Sequence, residues 1–370
     1  MTSLGGEWTR YFCQTKKSQI KLLQDQQMEV LIKQLDVNHY AQWDLYVDKS
    51  ENSTFFHRAR WHSVLPRAFG HKPHFFYAER GGEIVGILPT AHVKSMLFGN
   101  SLASLPFCVY GGVVADDAEV ANKLLVQASE LGTQLNVDAV EIRSLEPIDQ
   151  SWPDKDLYVT FRRTMDPDHE ANLKAIPGKQ RAMVRKGAAE GLASEFDDGV
   201  DRVYHVYSES LRNLGTPVFS KKYLRILREE FGSDCDVLMI TQGDRDVAGV
   251  LNFYFKDQVL PYYGGSITEA RNIRGVNHFM YAELMRHSVD RGYRIFDFGR
   301  SKKGTGAFEF KRNFGFEPEQ LHYQYFLVKS QQVPELNPNN PKYQKMIEIW
   351  KKLPLSVANS IGPFVAKYLG

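Results

Sequence analysis

The sequence has little of what marks secreted, membrane-spanning or nucleic-acid-binding proteins. It has three cysteines in 370 residues, Cys13, Cys108 and Cys235, and their odd number and wide spacing argue against a disulfide framework and a zinc site. It has no run of 18 apolar residues, so we expect no transmembrane helix. Its net charge of only +2 lacks the basic excess that is typical of nucleic-acid-binding proteins. These absences predict a cytoplasmic protein with free thiols.

Signals for export and for metal binding are also missing from the first part of the chain. Residues 1–28 contain no apolar core long enough for a signal peptide, and we expect a disordered extension there. Four histidines, His57, His62, His71 and His74, follow no metal-ligand spacing and lie among aromatic residues. The sequence therefore predicts packed histidines and no metal site.

Each half of the chain contains, in the same order, a hairpin, a Tyr-Gly-Gly triplet, a long helical stretch and a strand. In the first half these are Glu79–Pro89, Tyr110–Gly112, Asp116–Leu131 and Ala139–Arg143, and in the second half they are Thr241–Asn252, Tyr263–Gly265, Glu269–Arg291 and Ile295–Gly299. Similar order at similar spacing indicates an internal duplication. The 43% of hydrophobic residues supply enough apolar material for two cores. We therefore predict an α/β protein of two tandem domains, each a mixed sheet with helices on its faces.

The first domain is expected at residues 29–165 and the second at 166–330, with a basic helix at 179–190 bridging the halves. Three cations of this helix are candidate ligands for a diphosphate or an acidic saccharide, namely Lys179, Arg181 and Arg185. Arg181 and Arg185 share one helix face at i, i+4, so they could grip an anion together. An ordinary solvated helix face is the alternative.

A helical tail is predicted at 331–370. Within Trp350–Leu369, apolar residues recur at helical spacing with lysines around them. We expect this stretch to be helical and to dock on the body, burying Phe364 and Tyr368. A peripheral membrane contact through 350–369, at the inner face of the membrane, is the alternative.

The segment Arg294–Phe316 joins a buried strand, a cationic Gly-rich loop and a short helix at Ala307–Phe314. Glycines let a backbone turn and approach a ligand closely. Four residues of the loop are candidate substrate contacts, namely Arg300, Lys302, Lys303 and Gly304. The alternative is a solvated connection between a strand and a helix.

The element order resembles the GCN5-related acyltransferase fold in tandem, and longer motifs resemble the FemAB family, which adds amino acids to peptidoglycan precursors. The branch associated with exosortase/PEP-CTERM exopolysaccharide systems is the one that the motifs resemble. These motifs are FFHRARWHSVLPRAFGHKPHFFYAER (Phe55–Arg80), SLPFCVYGG (Ser104–Gly112), AIPGKQRAMVRKG (Ala175–Gly187), RNLGTPVF (Arg212–Phe219), LPYYGGS (Leu260–Ser266) and FDFGRSKKGTGAFEFKRNFGFEP (Phe296–Pro318).

The resemblance implies a monomeric transferase that joins an aminoacyl or acyl group to an amine of a cell-envelope or exopolysaccharide precursor, without a metal or a covalent intermediate. It also implies that Lys311, preceded by Phe310, lies against the end of the donor and stabilises the developing oxyanion. A solvated helix lysine is the structural alternative.

Two departures from known patterns bear on the acyl donor. Acyl-CoA enzymes of this fold hold the pyrophosphate with a Gln/Arg-x-x-Gly-x-Gly/Ala loop before the long helix, and neither VVADDAEV at 113–120 nor ITEARNIRGV at 267–276 fits it. This favours aminoacyl-transfer RNA or another non-CoA donor, and no cofactor is expected. The long helical arm of some FemAB members is also missing, because residues 200–231 leave no room for a coiled coil, and this weakens the case for transfer RNA.

Four further side chains are candidates for the chemistry. Tyr262 and Tyr263 border the second Gly-Gly pair, where a phenol could bind the acceptor or relay a proton, and Tyr110 holds the matching place in the first half. Core packing is the alternative for these tyrosines. Asp297 is a candidate base, and capping of the loop or pairing with Arg300 is its alternative.

Two other functions fit the same residues. One is an acyl-CoA-dependent N-acyltransferase that uses the same cleft. The other is a catalytically silent adaptor that binds a saccharide diphosphate within an exopolysaccharide–exosortase system. Tight CoA binding would favour the first, and ligand binding without turnover would favour the second.

Overall fold

The computed structural model describes residues 29–95, 98–149, 151–334 and 341–369. The extension predicted for residues 1–28 lies outside the described residues. Within them the chain forms two mixed β-sheets with helices against their faces. The predicted α/β fold class is confirmed.

The first half supplies most of one sheet. Its elements are β1 (Leu31–Gln34), α1 (Tyr40–Lys49), α2 (Trp61–Phe69), β2 (Lys72–Arg80), β3 (Glu83–Ser95), β4 (Gly99–Ser104), β5 (Val114–Ala115), α3 (Ala118–Gln134) and β6 (Ala139–Ser144). Helix α3 follows Asp117, whose carboxylate accepts a hydrogen bond from the backbone N–H of Val120. It buries Val120, Leu124 and Ala128, which recur every fourth residue and so form one apolar stripe.

The rest of the chain supplies the other sheet and the tail. Its elements are β7 (Tyr158–Thr164), α4 (His169–Ala175), α5 (Gly178–Ala189), β8 (Leu192–Phe196), α6 (Asp201–Leu214), α7 (Lys221–Phe231), β9 (Cys235–Gln242), β10 (Arg245–Phe255), β11 (Gln258–Ser266), α8 (Val276–Asp290), β12 (Ile295–Asp297), β13 (Ser301–Lys302), α9 (Gly306–Asn313), β14 (Pro318–Gln320), β15 (His322–Leu327), α10 (Pro341–Lys352) and α11 (Leu355–Ala366). Helix α5 corresponds to the predicted basic helix and α9 to the predicted short helix. Helices α6 and α7 pack on the second sheet, and residues 201–231 form no coiled coil.

The two sheets repeat one strand order. The first runs β1-β2-β3-β4-β6-β15, and the second runs β8-β9-β10-β11-β12-β7 and continues to β13, with β14 also paired to β7. In each sheet an antiparallel series leads to one parallel step, from β4 to β6 in the first and from β11 to β12 in the second. The predicted internal duplication is confirmed by this shared order.

Each sheet takes one strand from the far side of residue 165. Strand β7, which precedes that residue, pairs antiparallel with β12 in the second sheet. Strand β15, which follows the whole second repeat, pairs antiparallel with β6 in the first sheet. The two repeats therefore exchange one strand each.

The repeats differ at one strand. In the second sheet β11 pairs with β10 throughout, apart from a one-residue bulge at Tyr262. In the first sheet β3 pairs with β4 and then with β5, and residues 105–113 leave the sheet between them. We call residues 105–113 the excursion loop. Because Tyr110–Gly112 lies in this loop and Tyr263–Gly265 lies in β11, the two triplets matched in the sequence are not structurally equivalent, and that part of the predicted repeat is wrong.

One hydrophobic core runs through both repeats. The ring of Phe55, which precedes α2, lies 4.3 Å from the ring of Phe253 in β10 and 4.6 Å from that of Phe231 in α7. Trp61 completes this contact and is fully buried. The first repeat therefore packs its opening helices on the second sheet, as well as on its own.

The tail forms two helices, α10 and α11, that are separated at Leu353 and Pro354. Helix α11 packs against the body through three small residues, Ala358, Gly362 and Ala366. Phe364 is 70% exposed, so the prediction that it is buried is wrong, because the packing face is built from small side chains instead. Tyr368 is half-buried. No helix in the described part of the chain is long and apolar enough to cross a membrane.

Candidate active site

The excursion loop is held by side chains from elsewhere in the fold. Four carbonyl oxygens of the loop accept hydrogen bonds from distant side chains. The carbonyl of Phe107 accepts from Tyr262 at 3.1 Å, that of Cys108 from Arg143 at 3.0 Å, that of Val109 from Tyr323 at 2.5 Å, and that of Gly112 from His57 at 3.0 Å. A buried loop needs such partners because its backbone has left the sheet. Leu105 and Phe107 adopt left-handed φ angles of 40° and 72°, which cost roughly 1–3 kcal/mol each unless the surroundings enforce them. The loop is thus fixed in a strained conformation.

The excursion loop brings Tyr110 to the second sheet. The Tyr110 hydroxyl donates a hydrogen bond to Oδ2 of Asp297, at the end of β12. Oδ1 of Asp297 accepts from the hydroxyl of Thr160 at 3.0 Å and from the backbone N–H of Gly299 at 2.8 Å. Burial raises the pKa of Asp297, and these hydrogen bonds oppose the rise. Asp297 therefore caps the loop after β12, as its structural alternative predicted, and joins both repeats.

Lys311 holds the same loop from the other side. Helix α9 begins at Thr305, whose hydroxyl caps it, and it places Lys311 in the second turn. The Nζ atom of Lys311 donates to the carbonyl oxygens of Phe298 at 2.8 Å, Gly299 at 2.9 Å and Arg300 at 3.2 Å. A charged lysine has three N–H donors, and all three are directed at these carbonyls.

The surroundings of Lys311 disfavour its charge. The ammonium lies 5.8 Å from the ring centre of Phe161 and 5.7 Å from that of Phe298. Burial lowers the pKa of Lys311 to about 7; the carboxylate of Asp297 raises it, and the guanidinium of Arg300 lowers it further. A lysine whose pKa is near neutrality is typical of functional sites, where groups must change protonation state during the reaction.

Phe310 lies beside Lys311 in an aromatic cluster. Its ring stacks on Phe314 at 5.6 Å and meets His278 at 5.1 Å. His278 in turn lies 2.7 Å from the side-chain oxygen of Gln180, in α5. The cluster fixes α9 against α5 and α8, and it sets the position of Lys311.

Arg300 lines a cavity of about 330 Å³ between the first sheet, β7 and the tail. Its guanidinium lies 4.7 Å from the ring centre of Tyr158 and donates to the hydroxyl of Tyr323 at 3.2 Å. Arg143, only 2% exposed, also lines the cavity and donates from Nε to Glu141 at 3.0 Å. Two guanidinium groups beside aromatic rings suit an anionic or sugar-like ligand.

The structure places the other predicted residues in three different surroundings. Tyr262 and Tyr263 are packed in the core, where the Tyr263 hydroxyl lies 2.8 Å from that of Tyr223. Lys303 forms an exposed ion pair with Asp156. Lys302 belongs to β13, and Gly304 turns the chain with a φ of 75°.

The cations of α5 do not line the cavity. Lys179 and Arg185 are exposed, and Arg181 donates to the carbonyl of Lys174 at 3.3 Å. Their helix reaches the site indirectly, through Gln180 and the aromatic cluster around Phe310. A role in ligand binding stays a prediction for all three.

Sequence reasoning missed the side chains that come from exchanged strands. Thr160 and Tyr158 belong to β7, and Tyr323 belongs to β15. Their alternation with apolar neighbours marks them as strand residues, but nothing in the sequence pairs them with the loop after β12. Arg143 was also missed, because a strand pattern shows that a residue points inward without showing its partner.

The N-termini of the two long helices differ. In α3 the carboxylate of Asp117 accepts a hydrogen bond from the backbone N–H of Val120 and also pairs with Arg80 at 3.0 Å. At the start of α8 no side chain caps the helix, and Gly275 packs closely on the backbone of Met183, in α5. Anions bind at helix N-termini through open N–H groups, so of these two helices α3 has a carboxylate at the place where an anion would bind.

No cluster of three or more His, Cys, Asp or Glu side chains arranged to bind a metal occurs in the described ranges. Cys108 and Cys235 are buried free thiols, as predicted, and Cys13 lies outside the described residues. His57 donates from Nε2 to Gly112, and burial lowers its pKa to about 4, so it packs as a neutral ring.

Comparison with known proteins identifies an acetyltransferase domain in the second half of the chain. Residues 178–312 match the family model described as an acetyltransferase (GNAT) domain. The crystal structure of FemX is similar over 86% of this chain and 100% of that chain, with 14% identity and a TM-score of 0.64. A tandem GNAT protein from the clavulanic acid biosynthesis pathway, solved without AcCoA, is similar over 82% of this chain and 100% of that chain, with 11% identity and a TM-score of 0.54.

The C-terminal domain of a putative lysylphosphatidylglycerol synthetase from Agrobacterium fabrum is also similar, over 78% of this chain and 91% of that chain, with 16% identity and a TM-score of 0.53. No curated protein matches the sequence. The tandem GNAT-like fold is therefore confirmed. The domain match also confirms the predicted enzyme class, so the protein is an acyltransferase.

Proposed function

We propose that the protein transfers an aminoacyl or acyl group to an amine of a cell-envelope precursor, in the manner of the FemAB family. The observation that carries the proposal is Lys311, which stands at the family's Phe-Lys position with its ammonium on a loop joined to both repeats. Attack of an amine on an ester carbonyl places negative charge on the carbonyl oxygen. A fixed cation in a site of low dielectric stabilises that charge.

One proton of Lys311 is best placed for this role. The hydrogen bonds to Phe298 and Gly299 are short, whereas the one to Arg300 is the longest, at 3.2 Å, and lies on the exposed side. A substrate oxygen can replace the Arg300 carbonyl while the other two carbonyls keep the ammonium anchored. The three carbonyls and Asp297 favour the charged form that the role requires, against the effect of burial.

We assign the acceptor to the cavity beside Arg300. This residue offers its backbone carbonyl to Lys311 and its guanidinium to the cavity, so Arg300 is the residue that connects the cavity to the lysine, which does not itself line the cavity. Arg143 and Tyr158 line the same space and suit a phosphate or a sugar ring. Arg181 and Arg185 would hold a more distant anionic part of one of the substrates.

The proposed donor is an activated ester other than acyl-CoA, such as aminoacyl-transfer RNA. In the first repeat the carboxylate of Asp117 supports this choice, because it accepts a backbone N–H at the helix start where the fold would hold a pyrophosphate. In the second repeat the choice is supported by residues 267–276, which lack the paired glycines of a pyrophosphate loop. The similarity in fold to FemX and to a lysylphosphatidylglycerol synthetase, whose name joins lysine to a lipid, fits the same class of reaction. The placement within exosortase/PEP-CTERM exopolysaccharide systems, the monomeric state and the cell-wall context are proposals that rest on the sequence motifs.

The test is turnover by wild type and two variants. Native mass spectrometry should first be used to screen nucleotide-sugar precursors, CoA esters and charged transfer RNA for binding and for a mass gain on the acceptor. With the pair that reacts, Lys311→Met should lower kcat by about 100-fold, or about 2.7 kcal/mol, without weakening acceptor affinity. Arg312→Ala is the matched control, since Arg312 is the next residue and forms a surface ion pair with Glu309.

Three outcomes would contradict the proposal. Wild-type kinetics in Lys311→Met would remove the lysine from the mechanism. Turnover only with CoA esters would favour the acyl-CoA enzyme. Tight binding of a saccharide diphosphate without turnover of any donor would favour the silent adaptor. One observation supports the adaptor, which is that all three N–H groups of Lys311 donate to backbone carbonyls.

A further inference from the structure

Helix α11 has the reverse of the usual arrangement of side chains. Its packing face carries the small residues Ala358, Gly362 and Ala366, which are buried. Its opposite face carries Val357, Ile361 and Phe364, which are 38%, 44% and 70% exposed. These three lie at i, i+4 and i+7, so they form one stripe. A globular helix normally buries its large apolar residues, and a stripe of them in solvent costs free energy unless another surface covers it.

The neighbouring helix also exposes apolar residues. In α10 Met346 is 55% exposed and Ile349 is 64% exposed, one turn apart. Leu369, just after α11, is 40% exposed. We call Met346, Ile349, Val357, Ile361, Phe364 and Leu369 the tail surface.

The charge around the tail surface has one sign. Residues 341–369 contain five lysines, Lys342, Lys345, Lys351, Lys352 and Lys367, and a single acidic residue, Glu348. Lys345, Lys351 and Lys352 are exposed, and no described acidic side chain forms an ion pair with them. The chain as a whole is nearly neutral, at +2, so this excess is local. Exposed apolar residues among lysines are the pattern of a helix that lies in the interface of an anionic bilayer.

We propose that the tail surface docks on an anionic lipid bilayer. Phe364, Ile361 and Val357 enter the boundary between headgroups and acyl chains, and the lysines contact lipid phosphates. Neither tail helix is long and apolar enough to span a membrane, which fits a helix that lies on the surface. Charge selects a bilayer over a second copy of this chain, because two copies would bring their lysines together.

The end of the tail lies at the cavity beside Arg300. The carbonyl of Lys367 lies 2.5 Å from Nε2 of His71, which therefore donates to it, and Tyr368 and Leu369 line that cavity. The stripe on α11 ends only four residues before Tyr368. Docking would place the cavity mouth near the headgroup layer, where a lipid-linked acceptor would enter. This last step rests on the proposed function, whereas bilayer binding does not.

The test is co-sedimentation of the full chain with vesicles of phosphatidylcholine alone and of phosphatidylcholine with an equal part of phosphatidylglycerol. Wild type should bind the anionic vesicles, and Ile361→Ser/Phe364→Ser should bind at least about tenfold more weakly, since each side chain loses apolar burial. Lys351→Gln/Lys352→Gln should weaken binding to the anionic vesicles only. Val37→Ser is the matched control, because Val37 is 70% exposed in the first repeat and away from the tail.

Melting temperatures distinguish docking from folding. Because Ile361 and Phe364 are exposed, the serine variant should have the same melting temperature as the wild type. The proposal is overturned if the wild-type protein binds neither kind of vesicle, or if the serine variant binds the anionic vesicles as tightly as the wild type does. A concentration-dependent dimer that the serine variant abolishes would assign the surface to a second copy instead. Binding that persists while the enzyme shows no turnover would leave this proposal standing and remove the proposed function.

Discussion

The two repeats share a strand order but differ at one strand of that order, which is β4 in the first repeat and β11 in the second. The second repeat keeps β11 in the sheet and accommodates one extra residue, Tyr262, as a bulge. The first repeat lets residues 105–113 leave the sheet and return as β5. The two irregularities touch, because the Tyr262 hydroxyl donates to the carbonyl of Phe107 at 3.1 Å.

Because of this difference, the two repeats supply different parts of the candidate site. The second repeat supplies the loop after β12, with Asp297 and Lys311, and the first supplies the excursion loop, with Tyr110. A site built at a junction needs a segment from one repeat that reaches the other, and a regular strand cannot reach out of its own sheet. Duplication followed by the loss of pairing in one copy gives such a segment.

The largest expected effect concerns the support of the excursion loop. Arg143→Met should destabilise the protein by about 3–5 kcal/mol in denaturant unfolding, because it leaves Glu141 without its partner and the carbonyl of Cys108 without a donor. Arg286→Ala, which breaks an exposed pair with Glu283 on α8, should cost less than about 1 kcal/mol. Equal losses in the two variants would mean that the excursion loop is not specially supported.

A second prediction concerns the charge of Lys311 and its pKa of about 7. If the ammonium stabilises the oxyanion, kcat should fall about tenfold for each pH unit above 7, as the lysine loses its proton. Lys311→Arg keeps its charge throughout this range, so any activity it retains should lack that alkaline limb. An activity that instead rises through pH 7 in the wild type would make the neutral lysine a proton acceptor.

A third prediction concerns the basic helix of the second repeat. If Arg185 holds an anionic part of the acceptor, Arg185→Ala should weaken acceptor affinity about tenfold, as expected for the loss of one charge-assisted contact. The melting temperature should not change, because the side chain is exposed. Lys174→Ala, an exposed cation on α4, serves as the control. Equal acceptor affinities in the two variants would mean that Arg185 belongs to an ordinary solvated helix face and does not bind the acceptor.

The smallest effect is expected where the two irregularities meet. Tyr262→Phe removes the donor to the carbonyl of Phe107 and should cost about 1 kcal/mol of stability. Because the excursion loop also carries Tyr110, we expect a modest loss of kcat with it. A variant as stable and as active as wild type would mean that the bulge and the loop do not depend on each other.

The parts of this molecule that could be predicted from the sequence are those that depend on neighbouring residues. Alternation marked β12, glycines marked the turn at Gly299, and the aromatic and basic residues after the Gly-rich loop marked the short helix α9 with Lys311. The strand order followed from the repeat, since two similar series of elements fold in the same way.

The parts that could not be predicted depend on distant partners. Thr160 and Tyr323 reach the site only because β7 and β15 are exchanged, and an exchange of strands leaves no mark in local periodicity. The triplet at Tyr110 looked equivalent to that at Tyr263 because the residues match, although one lies in a loop and the other in a strand. Phe364 was expected to be buried because apolar spacing identifies a stripe but not which face packs.

The exchange of strands between the repeats also dictates when folding can finish during synthesis. Strand β6 is complete at residue 144, yet its antiparallel neighbour appears only when residues 322–327 leave the ribosome. Until then the first sheet has an open edge, which invites pairing with other chains and makes a chaperone useful. The span 178–312 that matches the acetyltransferase family lacks β7, so expressed alone it would lack the strand that pairs with β12. Each repeat therefore completes its sheet only in the presence of the other.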